Sequence, residues 1–167
     1  MAIRIFITGG TIDDLEYSKE QDAPPKTRKS IIPDFLKTAL VTVDYKTEIL
    51  FLKDSKFITN LDRKLILDEC TKCKEEDIII THGTMSMVET AKFLGEKKIG
   101  KTILLVGSAV LGAKPNSDAL FNLGAAFSAV QILKPGVYIT MNGKIFSWGN
   151  VKKNLETGHF EFEKESV

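Results

Sequence analysis

The sequence carries almost no net charge: 23 lysines and arginines face 22 aspartates and glutamates, leaving +1 over 167 residues. No field of one sign is available to hold nucleic acid or an anionic membrane, so a small neutral or zwitterionic partner fits better. Metal chemistry has little to build on, since His82 and His159 are the only histidines and Cys70 and Cys73 the only cysteines. The pair Cys70-Thr71-Lys72-Cys73 falls near the end of an expected helix. A redox pair needs the helix start, where the dipole lowers a thiol pKa, so these read as reduced, structural thiols. No apolar stretch approaches a membrane span, and the run Ile3–Ile7 is too short for a secretory core, so the expected location is cytoplasmic. There is no repeat and no low-complexity segment. Neither Gly-x-Gly-x-x-Gly nor a phosphate-loop lysine follows the first strand, which counts against a nucleotide-binding module.

What is present is the pattern of one α/β domain spanning 1–167, with 43% hydrophobic residues to fill its core. Expected strands at Ile3–Ile7, Thr47–Leu52, Asp77–Thr81 and Thr102–Gly107 alternate with helices over Ile32–Val41, Leu61–Cys73, Ser86–Gly95 and Asp118–Leu133. This alternation predicts a doubly wound, mostly parallel sheet with helices on both faces, Rossmann-like in plan. Ser30 and Pro33 suit the start of the first helix. Asn142-Gly143 between Val137–Met141 and Lys144–Trp148 predicts a C-terminal hairpin with a type I′ turn. The polar, proline-bearing stretch 13–29 has no periodicity and is expected to be a lid over a site, and His159–Glu163 an edge strand.

Ligands of doubly wound sheets collect beyond the carboxyl ends of the strands. There the sequence sets hydroxyls on glycine turns: Thr8-Gly9-Gly10-Thr11-Ile12 after the first strand, and Thr81-His82-Gly83-Thr84 after the third, with Ser55 after the second. A hydroxyl needs a base to attack at neutral pH. His82 is one choice, although a histidine before a glycine turn is more often a buried, hydrogen-bonded residue. Lys101, desolvated and acting through Thr84, is the other, against the plain reading of an exposed lysine.

These turns, in this order, resemble those of the bacterial-type L-asparaginases, which carry Thr-Gly-Gly-Thr-Ile after the first strand and His-Gly-Thr-Asp-Thr-Met at a later one. The strand led by Lys101 and the segment Ser117-Asp118-Ala119-Leu120-Phe121-Asn122-Leu123 extend the similarity across most of the chain. The resemblance implies an amidohydrolase acting on asparagine or a related side-chain amide, without cofactor or metal. It implies Thr11 as the nucleophile that carries the acyl group, Thr84 as the second essential threonine, Lys101 as its lysine, and Tyr17 as the loop tyrosine that orients the nucleophile. Gly10, Gly83, Asp54 and Ser55 would line the substrate, Ser55 holding its α-carboxylate.

Two departures stand out. Met85 occupies the place of the family's aspartate, which binds the substrate's α-ammonium group. Loss of that charge-assisted bond predicts weak activity on asparagine and tolerance of amides lacking a free α-amino group, unless Asp54, Asp13 or Asp14 substitutes. The chain also resembles the family's N-terminal catalytic domain alone, so closure of its crevice by a second copy, most simply in a homodimer, is expected. The competing readings are a catalytically impaired homologue that binds a small molecule or a protein, and a nucleotide-binding module.

Overall fold

The computed structural model describes residues 2–164. Its centre is a six-stranded sheet: β1 (Ile3–Gly9), β2 (Tyr45–Lys53), β3 (Asp77–Thr81), β4 (Thr102–Val106), β5 (Gly136–Met141) and β6 (Lys144–Ser147), in the order β2-β1-β3-β4-β5-β6. The first five strands are parallel, and β6 returns antiparallel to β5. The turn between them has Asn142 at φ 49° and Gly143 at φ 81°, the two left-handed positions of a type I′ hairpin.

Strand alternation sorts the core into two layers. Ile78, Ile80, Ile103 and Leu105 point to one face, where α2 (Asn60–Lys72) and α3 (Met87–Gly95) cover them with Ile66, Cys70, Met87, Ala91 and Leu94. Ile3, Ile5, Ile7, Ile79 and Leu104 point to the other, beneath α1 (Ile32–Thr38) and α4 (Ala119–Val130). Strands buried on both faces have no polar side to show, which is why they read as unbroken aliphatic runs. Among the described residues no helix is long and apolar enough to cross a membrane.

Local signals behave as their chemistry requires. The Ile32 amide donates to Ser30 Oγ at 3.1 Å, and Pro33 sits in the first turn of α1. Thr59 and Asp62 form a reciprocal capping box on α2. A short ribbon ends the fold: β7 (Lys152–Lys153) pairs antiparallel with β8 (Phe160–Glu161), so the edge-strand expectation for 159–163 reduces to two residues.

The chain runs from β1 out to β2 and then back across to β3 on the opposite side of β1. The sheet therefore reverses its winding between β1 and β3, the place at whose carboxyl ends doubly wound sheets bind their ligands.

Candidate active site

Two glycine turns meet at that switch point. Gly10 has φ 83°, and a Cβ built on it would lie 2.3 Å from Gly83 N and 2.4 Å from Gly83 Cα. Only a residue without a side chain lets the two main chains come so close. Gly83 in turn faces Ser55, whose Oγ would lie 2.6 Å from a Cβ there. The ends of β1, β2 and β3 are thus drawn together, and the residues immediately after the touching glycines are Thr11 and Thr84. Thr11 opens a 3-10 turn, Thr11–Asp13, and its carbonyl accepts from Gly112 N at 3.0 Å. Ser55 Oγ accepts from Met85 N at 3.1 Å, and Ser86 Oγ donates to Ser55 O at 2.6 Å, which ties the second loop to the third.

The basic partner of Thr84 is Lys153. Its Nζ donates to Thr84 Oγ1 at 2.8 Å and lies 3.6 Å from Met85 Sδ. Burial holds this amine below the usual lysine value, because it disfavours the charged form. The β7–β8 ribbon supplies the side chain. Lys153 pairs with Phe160, which is buried on the core, whereas the neighbouring pair, Lys152 and Glu161, joins in a 3.8 Å ion pair. Period-two alternation therefore sends one of two adjacent lysines into the site and the other away from it.

Lys101 is not at this site. It precedes the first residue of β4, and β4 runs parallel to β3 with Asp77 opposite Thr102 and Thr81 opposite Val106. Thr84 lies beyond the other end of these strands, about 16 Å away at ~3.3 Å per residue. Lys101 Nζ instead donates to the Cys73 carbonyl, where α2 ends, and lies 3.6 Å from Cys73 Sγ. A lysine on a parallel strand's amino end cannot serve groups on its carboxyl end, and the expectation for Lys101 is corrected accordingly. Lys153 escaped sequence reasoning because Lys152-Lys153 reads as a solvated pair. The usable signal was the alternation of Phe160 and Glu161, which sets an inward and an outward side for whatever strand pairs with it.

His82 is wholly buried and engaged at both ring nitrogens. Gly83 O can only accept, so Nδ1 carries the hydrogen and donates to it at 2.7 Å, which leaves Nε2 of the neutral ring to accept from the Thr90 hydroxyl at 2.9 Å, while Thr90 Oγ1 accepts from Arg63 Nε at 3.2 Å. Burial lowers its pKa to about 4, with the Arg63 charge acting the same way. It is a neutral strut for the Gly83 turn, with no nitrogen free for proton transfer.

The three aspartates that might have replaced the missing carboxylate each accept from the scaffold through at least one oxygen, although Asp13 Oδ2 is buried with no partner among the described residues. Asp54 Oδ1 accepts from Lys56 N at 3.0 Å and its Oδ2 from Tyr17 N at 3.3 Å, with Lys56 Nζ also at 3.3 Å. Asp13 is buried and takes the Ile31 amide at 2.7 Å; burial pushes its carboxyl above the ordinary value. Asp14 accepts from Ala113 N at 3.2 Å. Met85 is half exposed, at 51%.

Tyr17 lies against the β2 loop, its ring stacked on Phe57 with centroids 5.1 Å apart. The 13–29 segment is anchored by Arg28, whose Nη2 donates to the Asp13 and Asp14 carbonyls at 2.8 and 3.1 Å. It roofs a groove of about 650 Å³ along β2 between Tyr17, Pro24, Pro25 and Phe51. The Ser117–Leu123 segment serves the scaffold: Asp118 accepts from the Ala109 and Val110 amides, and Asn122 Nδ2 donates to Gly107 O at 2.9 Å.

Comparison with known proteins accords with this geometry. A family model described as "Asparaginase, N-terminal" matches residues 2–166. The chain is 30% identical over 175 residues to a glutaminase-asparaginase of Pseudomonas fluorescens, covering 94% of this chain and 47% of that protein. It is 39% identical over 147 residues to a glutamyl-tRNA(Gln) amidotransferase component from Methanococcus maripaludis, covering 85% and 35%. Among solved structures, a probable cytoplasmic L-asparaginase of Campylobacter jejuni superposes with a TM-score of 0.81 at 26% identity, over 98% of this chain and 53% of that one. The chain spans about half the length of the relatives that match it end to end. With the family model covering nearly every residue, and the glycine-linked threonine turns at its switch point, the chain belongs to the asparaginase N-terminal domain family.

Proposed function

We propose that this protein hydrolyses a side-chain amide of the asparagine type by acyl transfer to a threonine. The observation that carries this reading is the 2.8 Å hydrogen bond from a partly desolvated Lys153 to Thr84 Oγ1, beside the turn that bears Thr11. Neutral Lys153 takes the Thr84 proton as Thr84 takes that of the attacking group. In the first step that group is the Thr11 hydroxyl; it forms an acyl ester, and the relayed proton leaves on ammonia. In the second step it is a water molecule, which releases the acid and restores Thr11. The Gly83 and Thr84 amides make no hydrogen bond among the described residues, and on this reading they receive the negative charge of the carbonyl oxygen. Ser55 is a donor for the substrate's carboxylate, and covering the crevice requires the 13–29 segment with Tyr17 to move from the groove it roofs along β2.

The half-exposed Met85 argues for an open site and low activity on asparagine itself. A second copy closing the crevice is part of the same reading; only monomer in light scattering at micromolar concentration would remove it. The test is ammonia release from asparagine. Thr11→Ala and Lys153→Met should each lower kcat/KM about 10²–10⁴-fold. Met85→Asp should raise it about 10–10³-fold, the worth of a regained charge-assisted bond. Unchanged turnover in Lys153→Met would defeat the reading.

A further inference from the structure

The polar inventory of the crevice is one-sided. Its donors are the Thr11 and Thr84 hydroxyls, the Lys153 amine, the free Gly83 and Thr84 amides, and the Ser55 hydroxyl. Ser55 Oγ accepts from Met85 N and donates to nothing among the described residues, so its proton is available. Its acceptors are another matter. Asp54 is occupied by the Lys56 and Tyr17 amides and the Lys56 ammonium; Asp13 takes the Ile31 amide on Oδ1, and its Oδ2, though without a partner among the described residues, is sealed from solvent; Asp14 takes the Ala113 amide on Oδ1. Lys153 makes no ion pair among the described residues, and the side chain next to its amine is a thioether.

An α-ammonium group is a cation with only donors to offer. Placed here it would find hydroxyl oxygens, two of which already accept from Lys153 and Met85, and an amine, but no carboxylate to neutralise its charge, and its desolvation would be poorly compensated. A carboxylate and an amide carbonyl offer acceptors to the same surface. We infer that the substrate is the monoamide of a dicarboxylic acid without an α-ammonium group, of the succinamate type, rather than an amino-acid amide. This rests on the amide-hydrolase reading above, and deepens it by naming the substrate class.

Succinamate is asparagine without its amino group, so the comparison changes nothing else. The wild-type protein should hydrolyse succinamate with a kcat/KM at least 10-fold above that for L-asparagine, and Met85→Asp should reverse the order. Calorimetric titration of Thr11→Ala with each compound gives a readout that does not need turnover, and succinamate should bind at least 10-fold more tightly. Tighter binding of asparagine, equal binding, or binding of neither overturns the substrate assignment. Binding in the expected order, with no ammonia released from either compound by the wild type, supports the assignment and overturns the hydrolase reading instead.

Discussion

Replacing Gly10 by alanine tests the contact on which the whole site depends. The new Cβ would stand 2.3 Å from Gly83 N, about 1 Å short of ordinary contact, and the atoms it meets are main chain rather than a side chain that can rotate away. The backbone at φ 83° adds strain of its own. About 1–3 kcal/mol for a backbone at φ 83°, ψ −179°, a region essentially confined to glycine, and about 1–3 kcal/mol for overpacking give a loss of about 2–6 kcal/mol. The turns can relieve the clash only by separating. The Gly83 turn is held from behind by His82 N on Val106 O and by Met85 N on Ser55 Oγ, so the displacement falls on the Thr11–Thr84 spacing. A misplacement of ~1 Å at reacting groups costs on the order of 100-fold in rate. Urea unfolding and ammonia release, on succinamate and asparagine, measure the two effects. Gly124→Ala is the control, since it lies in α4 with nothing within 4 Å of its added Cβ, and should gain about 0.4–1 kcal/mol. A Gly10→Ala protein as stable and as active as wild type would show that the turns do not need this contact.

Other perturbations separate scaffold from chemistry. Lys101→Met should lose about 0.5–2 kcal/mol with the cap on the end of α2 and leave kcat unchanged, as thermal melts and turnover would show. His82 titrates near 6.5 when unfolded but near 4 in the fold, so only the unfolded chain gains this proton between those values. Stability should therefore be full above about pH 6.5 and fall by about 3 kcal/mol as pH drops to 4, on top of the carboxylate contribution. His82→Gln should flatten that dependence in urea midpoints. Because burial lowers the Lys153 pKa, kcat/KM should rise with pH along a limb centred below 10.5, and Lys153→Met should abolish that limb.

The central strands β1, β3 and β4 were legible because they are buried on both faces: Asp77–Thr81 reads as a strand from its isoleucines alone, and Asn142-Gly143 can hardly be anything but a hairpin turn. Thr11, Thr84 and Ser55 were legible as well, since glycine turns after parallel strands place hydroxyls at one edge. The lysine was not. Which end of a strand a residue occupies follows from chain direction, and that alone could have removed Lys101; finding Lys153 required a ribbon pairing between residues 152–153 and 160–161, which two-residue strands do not announce. The three aspartates were ambiguous for a similar reason. Their partners, Ile31, Ala113 and Tyr17, come from other loops whose positions no local pattern determines.

If Lys153 is the base proposed above, the ribbon that carries it governs when activity arises. Synthesis proceeds from the amino end, so the sheet, both threonines and Ser55 are all made before the base. A nascent chain can bury nearly its whole core and still be inert until residues 152–161 pair and Phe160 docks beside Phe146, their rings 6.5 Å apart. The same two-residue ribbon is joined to the rest by few backbone bonds, and such elements open at lower free energy than a buried sheet. Fraying there would withdraw the proposed base while the core stands, so mild denaturant should silence the protein well before it unfolds it.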